Sequence, residues 1–482
     1  MTAADPLVLL SPLIVTAVGA MVVMLLDAFG RPRLAVWSGA LVLVLASGLA
    51  AWTAYTAEQV VLSDVLLLGA GISAAMMMVF VLSAAAVVGG AQRFALDPSG
   101  PGSVALILLS AAGGGLLVAS LDLVITLIAL ETMAVCAYAL VVTMRTPAAM
   151  ESSMKYFVQG AIATGMFVMG VAIASTVFGS STSYIRIGQG MLLSSGLPAT
   201  LAATLLMTMF AFKLGALPFH SWAPDVFETA PPASAGFLAS ATKVAAIAGA
   251  FLLFGVSFAP GAAQRGSMDP STLFALLAAG SIVYGNLAAL KQTSFSRMLG
   301  YSGIAQVGYA LVGLTLGVAA MPATMLFVSA YGVAVLAAFL AAEFAGGDSG
   351  WDGSISGLRD LARRNAAVGV ALAVALFSLT GIPLTAGFLG KLLVFSLAVQ
   401  SGYTWLAVVG LIGSVVSFGY YGGVLRAVYF DAGEGEREIP ADSEPRGGAM
   451  VATVALAVIL LAAGIVPLLT GTEQILRFFA VG

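Results

Sequence analysis

Charge is what this sequence has least of. Of its 482 residues, 19 are Lys or Arg and 22 are Asp or Glu, 9% charged in all, against about 25% in soluble globular domains. The net charge is −3 and there is no basic tract, so nothing offers the electrostatic footprint of a nucleic-acid binder. The single cysteine, Cys136, admits no internal disulfide and no thiolate metal cluster. The single histidine, His220, excludes paired haem ligation and most zinc sites. No glycine-rich phosphate loop follows a strand pattern, so nucleotide chemistry is not expected on this chain. The opening residues, MTAADPLVLLSPLIVTA, have no basic flank and no small-residue cleavage site, which predicts a retained first membrane span.

What fills the chain instead is apolar. Hydrophobic residues make up 60% and the mean hydropathy is +1.06 over the whole length. One transmembrane helix takes about 20 apolar residues, so the composition predicts an all-α polytopic membrane protein embedded in a lipid bilayer. Reading apolar stretches against polar and Gly/Pro breaks gives fourteen spans, near 6–26, 35–55, 66–90, 103–120, 122–143, 154–178, 199–219, 233–256, 271–290, 297–317, 321–344, 366–398, 404–428 and 449–470. The distribution of basic residues tests that count. With the N-terminus outside, only Arg186, Arg265 and Arg477 fall on the outer side, and Lys213, Lys243 and Lys391 fall within spans. The other thirteen of the 19 lie in cytoplasmic loops. Both termini are therefore expected on the outer side of the membrane.

Three lysines inside apolar spans call for an explanation. Among the acidic residues, Glu131 alone reads as deep: it follows Asp122 by nine residues, about 14 Å of helical rise and so near the bilayer midplane. Ionisable groups at that depth cost several kcal/mol unless paired or hydrated, and their default reading is functional. The lysines also accompany a duplicated pattern. Ala211–Phe219 reads AFKLGALPF and Leu376–Leu384 reads LFSLTGIPL, with Phe, Leu and Pro in matching places. Each proline removes a helical hydrogen bond inside an apolar stretch. Paired interruptions of this kind mark repeats whose broken helices line a polar cavity. Ser240, Thr242, Tyr284, Asn286, Ser302, Gln306 and Thr385 supply smaller polar groups at similar depth, enough together to hold a file of water.

Lysines beside a carboxylate can hold and release protons as the neighbouring charge moves. Transport against 100 mV needs about 2.3 kcal/mol per charge, and no redox ligand set or nucleotide site is present to supply it. A partner subunit or an ion gradient must drive the process. Glu131 facing Lys213 is the expected ion pair.

The stretches KLGALPFHSWAPDVFETAPP (Lys213–Pro232), SAGFLASATK (Ser234–Lys243), GIPLTAGFLGK (Gly381–Lys391) and ESSMKYF (Glu151–Phe157) carry a specific resemblance. The chain resembles the antiporter-like membrane subunits of respiratory complex I and of multisubunit sodium/proton antiporters, over roughly residues 100–430. The resemblance implies two inverted five-helix repeats, each with a broken helix. The corresponding divisions are an N-terminal three-helix segment 1–100, a first repeat 101–260, a second repeat 261–430 and an acidic loop with a last span over 431–482. It implies proton translocation coupled to quinone reduction in other subunits, with NADH, FMN, iron–sulfur clusters and quinone held by those partners and no cofactor on this chain. By position, Glu131 is the ion-pair carboxylate, Lys213 its partner, Lys243 the central relay and Lys391 the terminal proton donor. His220 is a candidate for proton uptake, and Asp225 and Glu228, in the loop after it, for gathering protons. A cation/proton antiporter subunit is the alternative; the lysine that closes GIPLTAGFLGK favours the complex I branch. Gln306 stands where many relatives carry histidine, and a glutamine cannot titrate.

Overall fold

The computed structural model of the chain describes residues 6–56, 59–178, 180–193, 196–258, 270–346, 353–431 and 447–470. Helix dominates because a backbone surrounded by hydrocarbon must satisfy its polar groups within each segment. In order, α1 (Pro6–Ala28) and α2 (Pro32–Thr56) lead to a hairpin of β1 (Val60–Leu62) and β2 (Leu66–Leu68). Then follow α3 (Ala70–Gly89), α4 (Ala91–Leu96), α5 (Gly100–Ala119), α6 (Leu123–Val142), α7 (Pro147–Val177) and α8 (Tyr184–Leu193). The middle of the chain forms α9 (Leu197–Leu214), α10 (Trp222–Thr229), α11 (Pro232–Ala239), α12 (Ala241–Ser257), α13 (Pro270–Ala289), α14 (Phe295–Thr315) and α15 (Met321–Ala345). The remainder is α16 (Leu361–Arg364), α17 (Ala366–Thr380), α18 (Ala386–Gln400), α19 (Thr404–Tyr429) and α20 (Gly447–Thr470).

The apolar stretches read from the sequence coincide with helices. Among the described residues, twelve helical segments are long and apolar enough to cross a membrane. The stretch 297–317 is α14, and 366–398 divides into two shorter apolar helices, α17 and α18. Arg265, Arg477 and nearly all of the acidic loop 431–446 lie outside the described residues.

Burial sorts the helices into two layers. The apolar windows of α11–α12 and of α15 are buried throughout, and nearly every residue of α14 is buried. Around them, α1, α2, α7 and α19 turn large apolar side chains outward, among them Leu41, Val44, Ile162, Leu411 and Val415, the surface expected to meet lipid chains. The inner helices approach closely. A Cβ on Gly308 would come within 2.8 Å of the Ile282 backbone nitrogen, and one on Gly285 within 2.5 Å of the Ala305 nitrogen, so α13 and α14 touch almost backbone to backbone.

Two features of the bundle ends had no signal in the apolar pattern. At one end the hairpin, in register Val60↔Leu68 and Leu62↔Leu66, bridges to Ser120. There Asp122 caps α6 by accepting from Val124 N at 2.8 Å and from the Thr182 hydroxyl at 2.6 Å. At the other end lies a carboxylate that the sequence reading passed over. Glu131 is not the sole deep acid: Glu343 of α15 is only 1% exposed and takes Arg93 Nε of α4 at 2.9 Å. Its second oxygen accepts from the Ala233 backbone N–H at the start of α11, 3.3 Å away.

Candidate functional site

The two interruptions are built alike. α9 ends at Gly215 and α17 at Gly381, both left-handed, at φ 72° and φ 89°, a conformation that favours glycine. In each, the next amide reaches back to the helix: Ala216 N to Ala211 O at 2.8 Å and Ile382 N to Phe377 O at 2.9 Å. The two breaks differ in which groups satisfy the freed backbone. At the first, the Trp222 indole donates to Phe212 O at 3.0 Å, and Leu217 N donates to Ser281 Oγ at 3.0 Å. At the second, Lys391 Nζ, one helix on, donates to Leu379 O at 2.8 Å and Thr380 O at 3.0 Å. Lys391 is thus folded back onto the negative end of the α17 dipole.

All three intramembrane lysines are buried. Lys213, in the last turn of α9, has no hydrogen-bond partner at Nζ. Its electrostatic neighbours are Cys136 and Glu131 of α6. The expected Glu131–Lys213 ion pair is not formed: Glu131 is half-buried and accepts a short hydrogen bond from the Thr164 hydroxyl of α7, and no ion pair within 4.0 Å joins it to Lys213.

Lys243, in the first turn of α12, lies over a different set of groups. Its Nζ is 3.5 Å from Gly303 O and 3.4 Å from the Tyr331 hydroxyl. It also stands 5.6 Å from the ring centres of Phe227 and Tyr331, within cation–π range. Lys391 in turn sits 4.5 Å from the ring centre of Tyr309. Beside it a cavity of about 360 Å³ opens between α18 and α19.

His220 lies beyond the end of α9. It lies in the turn before α10, half-buried, with Nδ1 3.2 Å from Pro218 O and its ring edge-on to Tyr284 at 4.5 Å. Asp225 and Glu228 are not in a loop either. Both lie on α10, where Arg297 Nη1 bridges them at 2.7 and 2.8 Å, and Lys155 joins Asp225 to Glu151. The loop reading failed because an eight-residue helix is too short for its apolar periodicity to register in the sequence.

Of the smaller polar groups, Ser240, Thr242 and Thr385 bond to carbonyls three or four residues back in their own segments. Asn286, Ser302 and Gln306 reach across helices. Asn286 joins the Tyr309 and Tyr420 hydroxyls at 3.1 and 3.0 Å, Ser302 makes a short hydrogen bond with the Tyr421 hydroxyl, and Gln306 Nε2 donates to Leu379 O at 2.8 Å. Tyr331 and Tyr421 are the residues that sequence reasoning missed. A tyrosine inside an apolar helix gives no sign, by itself, of where its hydroxyl ends. Among the described residues no cluster of three His, Cys, Asp or Glu could hold a metal ion.

Interrupted helices in a helical membrane bundle, with buried amines strung along its interior, define an antiporter-like polytopic membrane subunit. Residues 120–417 match the profile described as NADH:quinone oxidoreductase/Mrp antiporter, transmembrane, and the chain belongs to that family. It is 36% identical over 372 residues to NADH-quinone oxidoreductase subunit N of Rhizorhabdus wittichii, covering 77% of this chain and 76% of that one. It superimposes on a chain of respiratory complex I from Thermus thermophilus with a TM-score of 0.80 at 30% identity, covering 95% of this chain and 98% of the other. A chain of the Mrp complex from Dietzia sp. DQ12-45-1b shares the fold, with a TM-score of 0.80, 18% identity and 99% and 100% coverage.

Proposed function

We propose that this chain is the proton-translocating N subunit of a bacterial NADH–quinone oxidoreductase. It carries protons along Lys213, Lys243 and Lys391 while other subunits, holding NADH, FMN, iron–sulfur clusters and quinone, perform the redox chemistry. The observation that carries the reading is the burial of three lysines at or beside two helix interruptions and on the wholly buried α12. In an inert bundle leucine would serve better at each place. Identity to the N subunit of R. wittichii supports this over a gradient-driven cation/proton antiporter, since the likeness to the Mrp chain extends to the fold alone.

The proposal includes fourteen spans with both termini on the outer face of the plasma membrane. It also includes the division into 1–100, an inverted pair of repeats at 101–260 and 261–430, and 431–482. The matching left-handed glycine ends of α9 and α17 support the repeat. The gathering of Arg93, Glu343, Lys155, Asp225 and Arg297 in ion pairs, with Arg93 beside Met144, supports a common cytoplasmic end. Neighbouring membrane subunits of the complex are the expected partners.

In this scheme a proton taken up near His220 reaches Lys213. Glu131 exchanges its Thr164 partner for Lys213 as a control on that step. Lys243 relays the charge and Lys391 delivers it from the second break. Replacing Lys243 by alanine in the assembled complex tests the scheme. We expect NADH-driven proton pumping and coupled quinone reduction to be abolished or strongly reduced while the complex still assembles. An unchanged proton-to-electron ratio in that variant would refute the relay.

A further inference from the structure

The relay leaves a gap. Lys243 and Lys391 must exchange a proton through the part of α14 where Gln306 stands, and an amide side chain neither binds nor releases one at physiological pH. Around that position the structure places a cluster of hydroxyls. Ser302 and Gln306 are four residues apart on α14 and so share one face. The Tyr421 hydroxyl of α19 meets that face, bonded to Ser302 Oγ, with the Gln306 side chain and the Tyr420 hydroxyl as further polar neighbours. Tyr421 is fully buried.

Each end of the cluster faces one lysine. Towards Lys243, Ser302 adjoins Gly303, whose carbonyl lies 3.5 Å from Nζ, and the Tyr331 hydroxyl lies 3.4 Å from the same nitrogen. Towards Lys391, Gln306 Nε2 and Lys391 Nζ donate to one acceptor, Leu379 O, each at 2.8 Å. That shared carbonyl fixes the glutamine amide, since only its nitrogen can donate there. The Gln306 carbonyl oxygen is thereby turned back into the interior, buried and without a hydrogen-bond partner. A second branch, Tyr420–Asn286–Tyr309, ends with the Tyr309 ring face under Lys391. It holds the tyrosines in place but presents no hydroxyl to the amine.

We infer that the Tyr421 hydroxyl, paired with Ser302, is the proton-passing group between Lys243 and Lys391. This rests on the relay reading above and names a member that reading lacks. The step balances. The Lys243 ammonium gives up a proton by way of the Tyr331 hydroxyl and water, and Tyr421 accepts a proton on its oxygen while releasing its own hydrogen to a second water, which carries it past the Gln306 amide. The neutral Lys391 amine takes up the last proton. Tyrosine is neither oxidised nor left charged, and rotation of the Ser302–Tyr421 pair resets the donor direction.

The test is Tyr421→Phe in the assembled complex, which keeps the ring packed on Tyr420 and removes only the hydroxyl. The expected result is a fall of about tenfold or more in NADH-driven proton pumping, with a larger solvent deuterium isotope effect on coupled turnover than in the wild type. Gln306→His in the Tyr421→Phe background is expected to restore pumping, because an imidazole at 306 supplies a group that can carry the proton. A loss of ring packing alone would raise no isotope effect and would not be rescued. If Tyr421→Phe fails to assemble, Ser302→Ala carries the same test, since it removes the partner hydroxyl at a position where a smaller side chain fits. Wild-type pumping and isotope effect in Tyr421→Phe, or in Ser302→Ala where that variant is used, would overturn the proposal. Lys243→Ala separates the two readings. If it fails to pump while Tyr421→Phe pumps normally, only the tyrosine bridge falls. If Lys243→Ala pumps normally, the relay itself falls.

Discussion

Replacing Arg93 by methionine tests whether the buried Glu343 carboxylate depends on its ion pair. Glu343 is 1% exposed and Arg93 26%, so the carboxylate is dry while the guanidinium keeps some access to water. Removing one partner of a fully buried pair costs about 3–5 kcal/mol. With one side partly solvated the expected loss is about 2 kcal/mol. The Ala233 N–H at 3.3 Å still donates to the carboxylate but brings no charge. The reverse change, Glu343→Leu, should cost less. Arg93 can extend toward water along its aliphatic stem, and the loss reduces to about 1 kcal/mol for an unsatisfied first-turn N–H of α11. The double variant Arg93→Met/Glu343→Leu, which removes both partners of the ion pair, should be destabilised by less than the two single losses together. Thermal unfolding in detergent reads all four proteins through tryptophan fluorescence, for which Trp222, buried and stacked on Tyr156 at 4.0 Å, is a suitable reporter. If Arg93→Met unfolds no earlier than Glu343→Leu, or if the single effects add, the ion pair is not what holds α4, α11 and α15 together.

Gly303→Ala places a methyl 3.0 Å from Lys243 Nζ and 3.1 Å from the Tyr331 hydroxyl. We expect the complex to assemble, at a cost of about 1–3 kcal/mol for the crowding, and coupled turnover to fall; unchanged turnover would show that Lys243 does not work from this position. Glu131→Gln keeps an acceptor for Thr164 but removes the charge near Lys213, and coupled NADH oxidation should slow while assembly persists. Turnover equal to the wild type would remove Glu131 from the scheme. Arg297→Met releases Asp225 and Glu228 of α10 from α14. Because these groups are partly solvated the loss of stability should stay within about 1 kcal/mol, but the coupled rate should drop, and an unaltered rate would show that α10 needs no tether.

Composition and span pattern were enough to read a helical membrane protein with lysines where lipid would otherwise be. Twenty-odd apolar residues in a row have few other stable forms, and Pro218 and Pro383 each follow closely on a glycine that ends a helix. The left-handed Gly215 and Gly381 follow from the same local rules. What the sequence could not decide was direction. Helices that are apolar on every side carry no periodic stripe to say which face turns inward. The inward placing of Tyr331 and Tyr421, and the choice of Thr164 over Lys213 as the partner of Glu131, were therefore settled only when neighbouring helices packed. Glu343 shows the same limit from the other side. Two residues from the end of α15 it reads as a surface acid, and its burial depends on Arg93 and the first turn of α11, which lie 250 and 110 residues away in the chain. The shared carbonyl of Leu379 is likewise a meeting of three helices. Spacing along the chain fixes which residues enter the membrane; the packing of one helix against another decides which polar atoms meet there.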